Sequence, residues 1–159
     1  MLVTILVATA FAQPPEVTVT EHGTVRGRIV VPASLDTVRG TLDHSAGRIA
    51  AVANGAEVEA TADGSCELEH TYMPHPIKSV TYTLRTCPTA QGFHSVLVDS
   101  HDLERFEAIW ELSATDEGTV VTYDLDLKPS FPLPGFVVRA SAKKGVLDAM
   151  LGLERAFAR

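Results

Sequence analysis

The side chains best able to recognise or transform a small molecule sit in four short stretches. "CELEHTYM" carries His70 and Tyr72, "VTYTLRTC" carries Tyr82, "FEAIWEL" carries Trp110 and "VVTYDLDL" carries Tyr123. A buried histidine beside a tyrosine can pass a proton to or from a substrate when its surroundings shift its pKa, and His70 with Tyr82 is the pair that would do so. The same residues can serve as isolated polar points in an apolar pocket, or as core residues with internal hydrogen bonds. Both readings stand, and neither demands a catalytic residue. The six histidines also raise a metal reading. No His-x-x-x-His or Cys-x-x-Cys spacing exists, and His94 and His101, with Asp99 and Asp102 close by, read as surface residues around a turn. There is no Gly-x-Ser-x-Gly elbow and no glycine-rich phosphate loop. No metal and no cofactor are expected.

Charge narrows the partners. The chain has 159 residues, with 13 Lys and Arg against 20 Asp and Glu, a net charge of −7. No basic stripe is present, which argues against nucleic acid and against attraction to an anionic membrane. The length suits one domain, with roughly two-thirds of its surface buried on folding; a monomer is expected. Residues 1–12, "MLVTILVATAFA", form an apolar run too short to span a bilayer, which needs about 20 residues. They fit the core of a secretory signal, and Ala10-Phe11-Ala12 gives a small-x-small cleavage pattern, although no basic residue precedes the run. Export, to a periplasm or to the medium, is the expectation. Residues 13–23 are then an N-terminal extension or first strand, and 24–159 the domain proper.

The elements that must hold the candidate residues can be read from pattern and punctuation. Val17–Thr20 and Thr24–Val31 alternate as a strand or strand pair. Ser34 is a good N-cap and Asp36 suits a first helical turn, so 33–54 reads as two short helices broken near Gly40-Thr41. Six strand-like segments follow: Glu57–Ala62, Cys66–Met73, Ser79–Thr86, His94–Ser100, Glu104–Ala114 and Thr119–Lys128. Their short turns imply an antiparallel meander. The last 25 residues are helical, with Val138, Ala142, Val146, Ala149, Met150, Leu153 and Phe157 in one stripe. Gly145 and Gly152 interrupt it, through close approach to the sheet or by leaving room for a ligand. One antiparallel sheet and one long amphipathic helix must cover each other, an α+β fold, and a curled sheet leaves a cavity beneath a single helix.

Alternation assigns faces. Phe106, Ala108, Trp110 and Leu112 share one side, as do Val121, Tyr123, Leu125 and Leu127. Matching Leu68, His70 and Tyr72 with Leu84, Tyr82 and Val80 gives the apolar face of the earlier hairpin. The two cysteines, Cys66 and Cys87, are expected to pair in an oxidising compartment. The apolar matching sets Cys66 opposite Thr86, however, so the bond needs a one-residue slip, which flips faces. The stretch "KPSFPLPGFVVR" (128–139) reads as a structural corner: Pro129 ends a strand, a helix starts near Pro134, and Phe131, Leu133 and Phe136 tuck beneath it.

Three stretches resemble the START-like superfamily (SRPBCC, which includes lipid-transfer domains, polyketide cyclases and the pollen-allergen fold). They are "GRIVVPASLDTVRGTL", "TYMPHPIKSVTYTLRT", and the run from Ile109 to Phe157 with its proline corner and final helix. The likeness covers about 25–159. It implies a helix-grip architecture, a curved antiparallel sheet wrapped around a long C-terminal helix with two short helices after the first strand. It also implies binding, or transfer, of a hydrophobic small molecule or lipid between sheet and helix. The residues expected at that site are His70, Tyr72, Tyr82, Phe106, Trp110, Tyr123, Val146 and Met150. A cyclase-type enzyme and a ligand-free interaction scaffold are the alternatives. The superfamily shares no catalytic motif, so no catalytic residue is carried over.

Overall fold

A computed structural model describes residues 13–43 and 54–158. Among these, the chain forms eight strands and two helices. The strands are β1 (Glu16–Val19), β2 (Val25–Val31), β3 (Glu57–Asp63), β4 (Cys66–Met73), β5 (Val80–Pro88), β6 (Gly92–Asp99), β7 (Leu103–Thr115) and β8 (Gly118–Pro129). The helices are α1 (Leu35–Leu42) and α2 (Gly135–Phe157). All strands join one curved antiparallel sheet in the order β1-β2-β8-β7-β6-β5-β4-β3. The meander from β3 to β8 returns to β2, so β2 and β3, consecutive along the chain, lie toward opposite ends of the sheet.

Each element starts and stops for local reasons. Ser34 Oγ accepts the Thr37 backbone N–H at 3.2 Å and Asp36 lies in the first turn of α1, the cap and dipole arrangement that favours a helix start. The helix runs through Gly40-Thr41 and ends after Leu42, so the expected break falls slightly later; Val38 and Leu42 are fully buried. The second short helix expected before Asn54 lies outside the described residues. Gly64, at φ +63°, lets the chain reverse between β3 and β4, a conformation that glycine adopts without a Cβ penalty. The opening alternation resolves into the strand pair β1–β2.

The hairpin β4–β5 departs from the apolar matching. Cys66 is bonded to Cys87, and the ladder continues from that bond as Glu67↔Thr86, Glu69↔Leu84 and Thr71↔Tyr82. This is the one-residue slip that the cysteines require. It sends Glu69 and Thr71 inward, 1% and 2% exposed, and leaves His70 and Tyr72 on the outer face. A disulfide between adjacent antiparallel strands holds two directly opposed side chains on one face, and this fixed pairing outweighs the modest preference of an aromatic side chain for the core.

Helix α2 buries Ala142, Val146, Ala149, Met150 and Leu153, the predicted stripe. It packs over β1, β2 and β8, at one end of the sheet. Gly27 on β2 is the point of closest approach: a Cβ there would lie 2.6 Å from Val146 Cγ1 and 2.9 Å from Met150 Cγ. Val146 and Met150 are thus core residues clamped on β2. No helix among the described residues is long and apolar enough to cross a membrane.

Two expectations follow. Gly27→Val should destabilise the protein by roughly 1–3 kcal/mol through overpacking, even though valine is the better strand former, and a lower urea midpoint at unchanged slope would register it. An unchanged midpoint would mean that α2 does not seat on β2. Breaking the disulfide, by reductant or by Cys66→Ser with Cys87→Ser, should cost roughly 2–4 kcal/mol, read from the same unfolding curves.

Candidate functional site

Because α2 is clamped over β2 and β8, the inner faces of β4 to β7 curl away from it. Between them lies a cavity of about 370 Å³. Its floor is made by inward side chains of four adjacent strands: Tyr82 and Leu84 on β5, Ser95 on β6, Phe106, Ala108 and Trp110 on β7, and Tyr123, Leu125 and Leu127 on β8. Its roof is the N-terminal half of α2, with Val138, Ser141, Ala142 and Gly145. The strand pairing explains why these residues share a face: Trp110 stands opposite Tyr123, Ala108 opposite Leu125 and Phe106 opposite Leu127.

Aromatic packing stiffens the floor. Trp110 stacks on Tyr123 at 4.2 Å between centroids, and Tyr82 on Phe106 at 5.3 Å. Burial pushes the phenol of Tyr82 well above its ordinary range, and the negative charge of Glu69 adds to this. Burial acts in the same direction on Tyr123, reinforced by Tyr82 and Glu69. Both tyrosines therefore stay neutral and can donate or accept hydrogen bonds. Behind the floor, Thr86 Oγ1 donates to Glu69 Oε2 at 3.3 Å and lies 2.7 Å from Ser95 Oγ.

The rim is built from two segments. The β4–β5 connection supplies Pro74, His75, Pro76 and Lys78, and the corner between β8 and α2 supplies Phe131 and Leu133. His75 Nδ1 accepts the Ile77 backbone N–H at 3.2 Å, so the ring proton sits on Nε2 and is donated to Ser141 Oγ on α2, also 3.2 Å away. Lys78 lies 4.5 Å over the Phe131 ring and pairs with Asp102 at 2.8 Å. Hydrogen bonding from Lys78, then from the Thr81 N–H, holds the Asp102 carboxyl below its ordinary range. The proline-rich corner is tied down as well: Ser130 N–H donates to Asp102 O and Ser130 Oγ to His101 O. Phe131 and Leu133 tuck in as expected, whereas Phe136 stays 68% exposed, because it faces away from the roof side of α2.

Of the residues singled out from the sequence, Tyr82, Phe106, Trp110 and Tyr123 meet around the cavity. Val146 and Met150 do not reach it, since they are pressed onto Gly27. His70 and Tyr72 are on the opposite face, His70 Nδ1 lying 2.8 Å from Thr83 Oγ1. The His70–Tyr82 acid–base pair is therefore not assembled: the two side chains lie on opposite faces of the sheet. His94 also lies on the outer face, 2.8 Å from Glu107. Gly145 borders the cavity, and among the described residues a Cβ there would meet only the Asn54 side chain at 3.6 Å, an ordinary contact, so close approach to the sheet does not explain it. Sequence reading missed Ser95, His75 and Ser141. The Pro-His-Pro loop was the available signal for His75; Ser95 carried none.

The chain resembles solved structures of one kind. A START superfamily protein from Mycobacterium smegmatis shares 16% identity at a TM-score of 0.67, over 84% of this chain and 96% of that one. An aromatase/cyclase from Streptomyces shares 17% at 0.61, over 86% and 95%. Human StAR-related lipid transfer protein 5 shares 15% at 0.62, over 90% and 80%. No family model matches, and no curated protein matches the sequence.

Alkaline pH probes the buried phenols. Below about pH 10 both folded and unfolded chains keep these protons; above it the unfolded chain releases them while folded Tyr82 and Tyr123 do not. The native state then binds more protons, so stability should fall as pH rises past about 10. Combining Tyr82→Phe with Tyr123→Phe should flatten that fall. Absorbance at 295 nm against pH, with parallel urea curves, checks it; phenols that ionise without unfolding would contradict the burial argument.

Proposed function

We propose that this chain, which has the START-like helix-grip fold, binds a hydrophobic small molecule or lipid in the cavity between the sheet and α2. The observation that carries the reading is the cavity itself: about 370 Å³ walled mainly by aliphatic and aromatic side chains, with a few polar groups among them. That size and composition are typical of small-molecule sites. The range of proteins sharing the fold, from lipid transfer to aromatase/cyclase, supports a hydrophobic occupant. Binding, with or without transfer, is favoured over cyclase chemistry because the one acid–base pair legible in the sequence is split across the two faces of the sheet. Export is part of the reading. A disulfide fits an oxidising compartment, while the leader-like residues 1–12 lie outside the described residues.

Purified protein should carry a bound apolar molecule in native mass spectrometry. Delipidated protein should bind Nile red saturably at one site. Val138→Trp, which puts an indole into the cavity roof, should weaken dye binding by roughly tenfold or more through overpacking while the circular dichroism spectrum is retained. Absence of both the adduct and saturable dye binding would overturn the reading.

A further inference from the structure

The charged side chains that line the cavity carry one sign. Lys78 and Lys144 border it, and among the described residues no Asp or Glu does, although the chain has 20 acidic residues against 13 Lys and Arg. The imbalance extends along both rim segments. Residues 74–79 and 128–147 contain Lys78, Lys128, Arg139, Lys143 and Lys144 and no acid. The two lining lysines bracket the contact between His75 and Ser141. Lys78 follows His75 by three residues, and Lys144 stands three residues beyond Ser141 on α2, a spacing that makes helical side chains neighbours. Ser141 Oγ accepts the His75 proton, so its own hydroxyl hydrogen remains, and no acceptor takes it among the described residues. These groups are within reach of a ligand: the side chains of Lys78 and Lys144 are 46% and 76% exposed. Each is paired, with Asp102 and Asp148, but exposed pairs are weak and an ammonium has three donors, so each can serve a second anion.

We infer that the ligand is an anionic amphiphile. Its apolar body lies over the floor, and its one anionic group, a carboxylate in the simplest case, sits at the rim on Lys78, Lys144 and the Ser141 hydroxyl. The inference rests on the cavity being the ligand site and adds the ligand's charge and orientation. The opposite orientation fails on solvation. The floor offers only neutral polar side chains, Ser95, Tyr82 and Tyr123, and an ionised head placed there would lose its hydration without meeting a cation. At the rim the same head keeps part of its water and gains two ammonium groups.

Decanoate and decan-1-ol test this, since they share an alkyl chain and differ in the charge of the head. Both are titrated against the neutral dye Nile red bound to the full protein at neutral pH. Decanoate should displace the dye at least as well as the alcohol, although the alcohol costs less to desolvate. Added sodium chloride should weaken decanoate through screening at so exposed a rim and leave the alcohol unweakened. Lys78→Gln and Lys144→Gln should each weaken decanoate by roughly two- to fivefold, the scale of an exposed ion pair, and leave the alcohol within about twofold. Unchanged Nile red affinity in each variant shows that the cavity survives, and the salt series in the wild-type protein decides the matter if a variant does not fold. Decanoate that fails to displace the dye, that ignores salt and both substitutions, or that weakens only in step with the alcohol overturns the anionic ligand while the cavity remains a binding site. If Nile red itself does not bind saturably, the ligand-site reading falls, and this inference with it.

Discussion

The contact between α2 and β2 at Gly27 sets the geometry of everything around it. Without a side chain at position 27, Val146 and Met150 come down onto the backbone of β2, and the helix is held at one end of an eight-stranded sheet. A helix about 10 Å across cannot cover a sheet of that width. The strands it leaves uncovered include β5 to β7, which still present mostly apolar side chains inward, and their curvature closes them around the cavity. The cavity is thus the remainder left by a tight contact elsewhere, and the same residues cannot both make that contact and line the space.

A second constraint decides which side chains face that space. Cys66 and Cys87 pin β4 against β5 in a register that the apolar pattern alone does not choose. Parity is all that alternation supplies: it states that His70, Tyr72 and Leu68 share a face, not which face. Two cysteines constrained to be opposite resolve the ambiguity, at the expense of exposing Tyr72 and burying Glu69. The buried Glu69 bears on the site through a chain of polar contacts, since it lies behind Ser95 through Thr86.

Much of the fold was legible because turns and caps are local. Ser34, Asp63-Gly64, Pro129 and Pro134 mark boundaries through their own conformational preferences, and the observed helices and strands begin or end within two residues of those marks. The faces of β7 and β8 were legible too, since long strands with regular alternation leave little choice. The site was legible only in part. A helical stripe states that Val146 and Met150 are buried but not against what. The exposure of Phe136 and the latch from His75 to Ser141 depend on how the corner swings α2 over the sheet, which no local pattern encodes.

The two kinds of contact that hold α2 differ in strength, and this decides which part of the cavity wall is the easier to displace. Lifting the C-terminal half of the helix would expose Val146, Ala149, Met150 and Leu153, all fully buried, and the larger of these contribute about 1.5–3 kcal/mol each. Parting the rim breaks the His75–Ser141 hydrogen bond and the stacking of Lys78 on Phe131, each worth about 1 kcal/mol or less in such exposed settings. The cheaper opening is at the rim, where the Pro-His-Pro loop meets the proline-rich corner. Prolines suit both segments for the same reason. They fix the backbone at little entropic cost, so the rim can be held in place by few contacts.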